Sequence, residues 1–290
     1  MAPRVECETA EEECMKEHVS DRRPSESSQK ASGLRFGVMA SGKQLRAWQK
    51  ECIHQLLALD GVELSLLIKD ARSSTWRDKI SSVRPSQFLF QACNRIAFNH
   101  NAGRVVHSEE LFSDADVMEV ESIRKEGYSE YFPEDKIEKI ENYNLDFIIR
   151  FAFGIIRGEI LEVAEYGIWS FHHDDERKYR GGPPCFWEVY YGDEQTGFVL
   201  QRLTDRLDGG IILKRGSVPT AHYSYAENMD RAYKESASLP ADVCREILSS
   251  DNPSLGEKSD SEAPIYSYPK NYQFILFLLK LIWRRARSIC

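Results

Sequence analysis

The sequence has no cysteine pair at C-x-x-C spacing, although seven cysteines are spread along its 290 residues. An odd number of scattered cysteines is typical neither of a disulfide framework nor of a zinc finger. The chain also lacks the G-x-G-x-x-G and Walker patterns of phosphate-binding loops. We therefore expect a protein of a reducing, cytoplasmic compartment whose function depends on none of these motifs.

Positive charge is not in excess. The 38 Lys and Arg residues are outnumbered by 46 Asp and Glu residues, which gives a formal net charge of −8. No general positive field is therefore present to attract a phosphate backbone, and we expect no nucleic-acid partner.

The C-terminal segment combines an apolar stretch, FILFLLKLIW at 274–283, with a cluster of arginines behind it. The stretch is shorter than the ~20 residues that span a bilayer. Its apolar residues surround the predicted helix, which favours burial against the domain. A second interpretation also stays open, a peripheral membrane contact or a protein contact through Arg284, Arg285 and Arg287.

Composition divides the chain into three parts. Residues 1–33 are polar and acidic without apolar periodicity, so they are predicted to be a disordered tail. Apolar runs fill residues 34–216, which are predicted to form an α/β domain. Residues 217–290 are predicted to be a helical extension, with a helix over 225–247 and a flexible, Ser- and Asp-rich linker near 249–264.

Two strand-helix-strand patterns predict a mainly parallel, Rossmann-like sheet. The first consists of LRFGVMA, a segment with apolar residues at helical spacing, and VELSLLIKDA; the second consists of NLDFIIRFAFGII, RGEILEVAEY as a helix, and GIWSFHH. Such a unit makes a right-handed crossover between parallel strands. Ligands of open α/β sheets bind beyond the carboxyl ends of the strands, so residues 153–156 and 170–174 are expected to share one rim.

Two histidines and several carboxylates follow the last of these strands. Side chains alternate along a strand, so Ser170 and His172 are expected on one face and His173 on the other. Asp208, in the RLDGG turn after a neighbouring strand, supplies a carboxylate that can tune an imidazole for proton transfer. Each residue also has an ordinary structural explanation, a polar strand end for His172 and an Asp-Gly turn for Asp208. A metal site on His172 and Asp174 is a further alternative, but no second His or Cys cluster supplies the other ligands, so no bound metal is expected.

Four stretches, in this order, resemble the 10-formyltetrahydrofolate-dependent formyltransferase family: DFIIRFAFGIIRGEIL, GIWSFHH, KYRGGPP and GDEQTGFVLQRLTDRLDGGIIL. The family includes methionyl-tRNA formyltransferase, glycinamide ribonucleotide transformylase and sugar N-formyltransferases. The resemblance is strongest over residues 143–216 and extends to 34–70. It implies an α/β fold with a mainly parallel, Rossmann-like sheet of the formyltransferase type, and 10-formyltetrahydrofolate as co-substrate.

The resemblance also implies roles for individual residues. His172 falls at the position of the family histidine, Asp208 at that of the family aspartate, and Ser170 at that of the family asparagine, which makes these three the catalytic candidates. A serine hydroxyl on a shorter arm is expected to replace the asparagine amide only in part as a donor to the developing oxyanion.

Further positions follow from the same resemblance. The segment that lines the pterin pocket corresponds to Phe153, Gly154, Ile155 and Ile156, with Thr204 and Asp205 on the facing loop. The segment 153–156 is equally well explained as a core strand. Part of the acceptor is expected at Ser41, Gly42 and Lys43, where a helix N-terminus could meet a phosphate.

The leading functional hypothesis is formyl transfer from 10-formyltetrahydrofolate to a primary amine of a small molecule, with an amino sugar as one acceptor class. Transfer to tRNA is disfavoured because the chain is acidic and few residues follow position 216. Two alternatives stay open. A binding or regulatory protein is favoured by Ser170 in place of asparagine, and a formyltetrahydrofolate hydrolase would use the same His and Asp on water.

Overall fold

The computed structural model describes residues 33–72, 84–125, 129–205, 209–250, 253, 255–259 and 261–288. The predicted N-terminal tail, apart from Gly33, therefore lies outside the described residues. Asp208 and the two residues before it also lie outside them.

An eight-stranded sheet is the framework of these residues. Its strands are β1 (Leu34–Ala40), β2 (Val62–Asp70), β3 (Asp116–Val120), β4 (Phe147–Arg150), β5 (Ile168–His172), β6 (Gln195–Arg202), β7 (Ile211–Pro219) and β8 (Glu257–Lys258). Their order in the sheet is β8-β7-β6-β5-β4-β1-β2-β3. Strands β3, β2, β1, β4 and β5 run parallel, whereas β6, β7 and β8 continue the sheet antiparallel on one side. The prediction of a mainly parallel sheet is confirmed.

Helices and turns cover both faces of the sheet. Phe36 of β1 belongs to one large apolar cluster, whereas Met39 of the same strand belongs to a second cluster on the other face. Because both faces are buried, the central strands are apolar without alternation, which is why the sequence shows continuous apolar runs. The helices are α1 (Ala47–Leu57), α2 (Phe88–Ile96), α3 (Glu134–Glu141), α4 (Phe186–Tyr191), α5 (Tyr225–Ser236), α6 (Leu239–Leu248) and α7 (Asn271–Ser288).

Short elements connect these layers. Single turns of 3-10 helix occur at Pro85–Gln87, Glu109–Phe112 and Glu159–Glu162. Small ladders pair Leu45–Arg46 with Val105–Val106, Arg180–Gly181 with Ile265–Tyr266, and Ser129–Tyr131 with both Ile123–Lys125 and Ile155–Ile156.

The crossover between β4 and β5 differs from the prediction. Instead of a helix over RGEILEVAEY, it contains only the 3-10 turn at Glu159–Glu162. Gly158 and Gly167 flank the crossover with φ angles of +82° and +71°, and these left-handed positions end helical geometry on both sides. The predicted long strand NLDFIIRFAFGII is also wrong in part. It leaves the main sheet after Arg150, and Ile155–Ile156 joins a separate ladder.

The predicted helix over 225–247 is two helices. Helix α5 ends at Ser236, and α6 starts at Leu239 with Pro240 in its first turn. Proline has no N–H to donate to the preceding turn, so one continuous helix cannot form here.

The C-terminal part is packed against the sheet. Strand β7 runs through position 216, the predicted domain boundary, and β8 lies within the predicted linker. Tyr225, Val243 and Phe277 belong to the same apolar cluster as Phe36 of β1. The described residues therefore share one continuous core on this face.

Helix α7 packs through one face only. Phe274 and Phe277 are buried in the core. The opposite face is exposed, in contrast to the expected burial of apolar residues all round the helix, and it carries Tyr272, Ile275, Leu276, Leu279, Ile282 and Trp283. Within the described ranges, no helix is both long and apolar enough to cross a membrane.

Candidate active site

His172 is the last residue of β5 and lies half-buried at the rim of the sheet, with 22% of its side chain exposed. Its Nε2 atom is 3.2 Å from the carbonyl oxygen of Tyr179 and 3.8 Å from Oδ2 of Asp174. A carbonyl oxygen only accepts hydrogen bonds, so Nε2 is the ring nitrogen that donates to Tyr179.

Ser170 lies two residues before His172 on the same face of β5 and binds an arginine. It is the register partner of Arg150 on the parallel neighbour β4. The serine Oγ accepts hydrogen bonds from Nε of Arg150 at 3.1 Å and from Nη2 at 2.8 Å. Only 1% of Ser170 is exposed. The hydroxyl therefore holds a guanidinium, and its role as an oxyanion donor stays a prediction.

His173 lies on the other side of the backbone, where it is buried among aromatic rings. Its ring stacks on Tyr233 with a centroid distance of 3.7 Å and lies against Phe171 and Trp48. Its Nε2 atom is 3.0 Å from Oγ of Ser236. Burial lowers the pKa of His173 to about 3, so the ring is neutral. The alternation predicted for the two histidines matches this arrangement.

Two buried carboxyl groups lie behind the rim. Asp174, close to His172, accepts a hydrogen bond from the backbone N–H of Cys185 at 2.8 Å and is paired with Glu188. Burial raises the pKa of Glu188 to about 7, and burial together with the neighbouring Glu188 charge raises the pKa of Asp174. The pair therefore retains a proton near neutral pH. In the part of the chain with described positions, no group of three or more His, Cys, Asp or Glu side chains could hold a metal ion.

The predicted pterin segment forms a strained loop after β4. Phe153 has a φ of +67°, a conformation rarely adopted by residues other than glycine. Its ring packs on Phe132 at 5.0 Å and under the guanidinium of Arg72 at 5.6 Å. The buried Glu130 accepts a hydrogen bond from the Gly154 N–H at 2.9 Å and forms an ion pair with Arg72. The loop is thus held by charged side chains from outside the resembling stretches.

Two residues of this segment continue into the small ladder with Ser129–Tyr131. Ile155 is 37% exposed and presents an apolar side chain, whereas Ile156 is buried. The loop of Thr204 and Asp205 reaches the end of the same segment, where the Asp205 carboxylate accepts from the Gly158 N–H at 3.1 Å. Thr204 donates to the carbonyl oxygen of Gly209 at 3.1 Å. The pterin-binding roles of these residues stay predictions.

The predicted acceptor residues Ser41, Gly42 and Lys43 form a turn after β1. Helix α1 begins only at Ala47, after the short strand Leu45–Arg46, so the turn is not the N-terminus of the helix. Ser108 fixes the turn by donating to the carbonyl oxygen of Lys43 at 2.7 Å. Around Gly42 the space for a side chain is open. Substrate binding at this turn stays a prediction, and the dipole of α1 does not contribute to it.

A cavity of about 540 Å³ opens beside the rim, next to Phe151 and the Pro183-Pro184 turn. The indole Nε1 of Trp48 is buried and has no hydrogen-bond partner among the described residues. Aromatic rings and two arginines from several elements line the cavity, among them Trp48, His100, Tyr225, Tyr233, Arg46 and Arg104.

Comparison with known proteins identifies the family of this chain. Residues 58–240, more than half of the chain, match the family model described as formyl transferase. The chain belongs to the formyl transferase family. The structure of glycinamide ribonucleotide transformylase 1 from Symbiobacterium toebii is similar to this chain, with a TM-score of 0.50 at 15% identity over 76% of this chain and 90% of that one. At this identity the similarity shows the fold.

Curated relatives match a shorter region. A methionyl-tRNA formyltransferase from Prochlorococcus marinus is 31% identical over 98 residues, which is 33% of this chain and 29% of the relative. One from Agathobacter rectalis is 33% identical over 113 residues, which is 38% of this chain and 36% of the relative. The match thus spans about a third of the length of these relatives.

Sequence reasoning missed several charged residues of the candidate site. Arg150 interrupts the apolar run FIIRFAF at the carboxyl end of β4, and this interruption was the available signal, but the run as a whole predicts a continuous strand. Glu130 and Arg72 lie outside the stretches that resemble the family, and Glu188 lies on helix α4. Their roles depend on contacts between residues at least 14 positions apart, for which the sequence offered no signal.

Proposed function

We propose that this formyltransferase moves the formyl group of 10-formyltetrahydrofolate to a primary amine of a small molecule, with an amino sugar as the acceptor class. One observation carries the proposal. His172 lies at the end of β5, beside the Arg150 and Ser170 pair and the loop that follows β4. An imidazole that exchanges protons next to a fixed cation suits the attack of an amine on a carbonyl carbon.

His172 handles the protons in this proposal. The amine loses a proton as its nitrogen bonds to the formyl carbon, and N10 of the folate gains one as the carbon–N10 bond breaks. A single imidazole can accept the first proton and return it to N10, as general acid–base catalysis requires. Asp208, at the position of the family aspartate, is assigned to orient the ring and assist the proton transfer.

The pterin ring is proposed to lie against residues 153–156. The backbone polar groups of Gly154 and the carbonyl of Phe153 already have partners in Glu130 and Arg150. The exposed Ile155 side chain is therefore the part of this segment that can contact a flat heterocycle. The loop of Thr204 and Asp205 borders it.

The acceptor is proposed to bind in the 540 Å³ cavity, which lies on the His173 side of β5, with its amine reaching past the end of the strand to His172. Aromatic faces such as Tyr233 pack well against the apolar faces of a sugar ring, and the unpartnered indole N–H of Trp48 offers a hydrogen bond to a hydroxyl. Arg46 and Arg104 favour an acceptor that also carries an anionic group, such as a phosphorylated amino sugar.

The test combines binding and transfer. The purified chain is titrated calorimetrically with 10-formyltetrahydrofolate, and it is then incubated with that donor and a panel of free and phosphorylated amino sugars. Tetrahydrofolate release is followed by absorbance, and the formylated amine by mass spectrometry. His172→Ala should abolish transfer, whereas the control variant His107→Ala, whose side chain is 75% exposed, should match the parent.

Other outcomes separate the alternatives. Formate release that does not depend on an amine identifies a hydrolase. Tight folate binding without transfer or hydrolysis identifies a binding protein, an alternative favoured by the burial of Ser170 beneath Arg150. Absence of folate binding overturns the proposal.

A further inference from the structure

Arg150 is held at the rim by four hydrogen bonds to neutral atoms. Besides the two to Ser170, Nη1 donates to the carbonyl oxygens of Phe153 at 3.2 Å and Gly154 at 2.5 Å. A guanidinium has five N–H groups, and these contacts use four of them. The fifth, on Nη2, has no acceptor among the described residues.

The charge of Arg150 has no close counter-ion among the described side chains. The Glu130 carboxylate interacts with Arg150 electrostatically, but its own close contacts go to Arg72, Ser122 and the Gly154 N–H. A mostly buried cation bound only by neutral groups is expensive to maintain in a fold. The cost of burying this cation is offset in an active site when a negative charge develops beside it during the reaction.

The register of the sheet explains the fixed position. Arg150 and Ser170 are paired residues on adjacent parallel strands, so their side chains leave the sheet on the same face. The serine oxygen receives both Nε–H and one Nη2–H, which locks the guanidinium plane. His172 leaves the sheet on that face two residues further along β5, and the Arg150 cation therefore lies on the side of the imidazole where the proposed chemistry takes place.

We propose that Arg150 is a catalytic residue that stabilises the oxyanion on the formyl oxygen, and that Ser170 is the residue that positions it. The assignment rests on the proposed function. When the amine nitrogen bonds to the formyl carbon, the carbonyl π electrons move to the oxygen, and the Nη2–H of Arg150 donates to that oxygen. The electrons return as the carbon–N10 bond breaks, and its electron pair goes to N10, which receives the proton from His172.

Binding tests this assignment without knowledge of the acceptor. The probes are a stable 10-formyl folate analogue in which carbon replaces N5 and N8, and the same analogue without the formyl group. The parent should bind the formylated probe at least tenfold more tightly, because only that probe offers a carbonyl oxygen to Arg150. Arg150→Met should lose this preference while it still binds the unformylated probe.

Kinetics tests the same residues with the donor and the best acceptor. Arg150→Met should lower kcat by about 10²–10³, the loss typical of one oxyanion donor, and Arg150→Lys should recover part of it. Added methylguanidine should restore activity to Arg150→Ala. Ser170→Ala should lower kcat with little change in KM, because the cation remains but is no longer fixed. Arg177→Met, which removes an exposed arginine, is the matched control.

Different experimental outcomes would contradict the assignment of Arg150 and the proposed function. If the parent binds both probes and Arg150→Met keeps the preference for the formylated probe and a kcat within twofold of the parent, the assignment is wrong and the proposed function stands. If the parent binds neither probe, both are overturned. Should Arg150→Met fail to fold, Arg150→Lys and the methylguanidine response decide the assignment on their own.

Discussion

His172 and His173 are adjacent in the chain, but their different surroundings predict different roles. His172 is at the rim, whereas His173 is enclosed by Tyr233, Trp48 and Phe171. We expect His173→Ala to lower the free energy of unfolding by about 2–4 kcal/mol, because it leaves a cavity among packed rings. His172→Ala should leave that free energy within about 0.5 kcal/mol of the parent while it abolishes transfer. Urea denaturation and the transfer assay measure the two effects, and equal loss of stability in both variants would contradict this division.

The buried Asp174 and Glu188 pair gives stability a pH dependence with a defined sign. Burial raises the pKa of Glu188 in the folded state to about 7, whereas a Glu in the unfolded chain titrates near about 4.3. The folded state binds more protons between these values, so the contribution of this group is present below about pH 4.3 and is lost as the pH rises through about 7. Glu188→Gln cannot ionise. Its stability relative to the parent should increase over this range, as measured by urea denaturation at several pH values, and a difference independent of pH would refute the assignment.

At the scale of elements, helix α7 has one packed and one exposed face, which can be probed separately. Phe277 is fully buried and touches Phe186 and Tyr225, whereas Leu279, two residues on, is 57% exposed. Phe277→Ala should lower the free energy of unfolding by about 3–5 kcal/mol. Leu279→Ala on the same helix is the matched control and should change it by less than about 0.5 kcal/mol. Similar losses for both substitutions, measured in urea, would mean that the exposed face is covered in solution.

The strands of the site were predictable as elements, and the contacts between them were not. The apolar runs of β1, β4 and β5 are long enough and apolar enough on both faces to identify buried parallel strands. The alternation in GIWSFHH correctly separated His172 from His173. Arg150 was missed because a charged residue at the end of an apolar run is ordinary, and only the pairing of β4 with β5 brings it to Ser170, 20 positions away. The false helix at RGEILEVAEY arose because its apolar spacing outweighed the two glycines that confine it.

At the scale of the whole molecule, the shared core predicts cooperative unfolding. Residues of α5, α6 and α7 pack in the same apolar cluster as the strands of the sheet. Unfolding in urea should therefore give one transition, with coincident midpoints from tryptophan fluorescence and from far-ultraviolet circular dichroism. Two separate transitions would instead support the division at residue 216 that the sequence suggested.

The pairing of Arg150 with Ser170 also constrains how this chain can change over evolutionary time. Asparagine at 170 would bring a larger side chain into a position that is 1% exposed and already occupied by two guanidinium hydrogen bonds. Arginine at 150 without a small hydroxyl residue at 170 would lose the oxygen that fixes it. A lineage that exchanges asparagine and serine at 170 is thus expected to pass through a poorly active intermediate unless position 150 changes with it, and the two positions should be inherited as a pair.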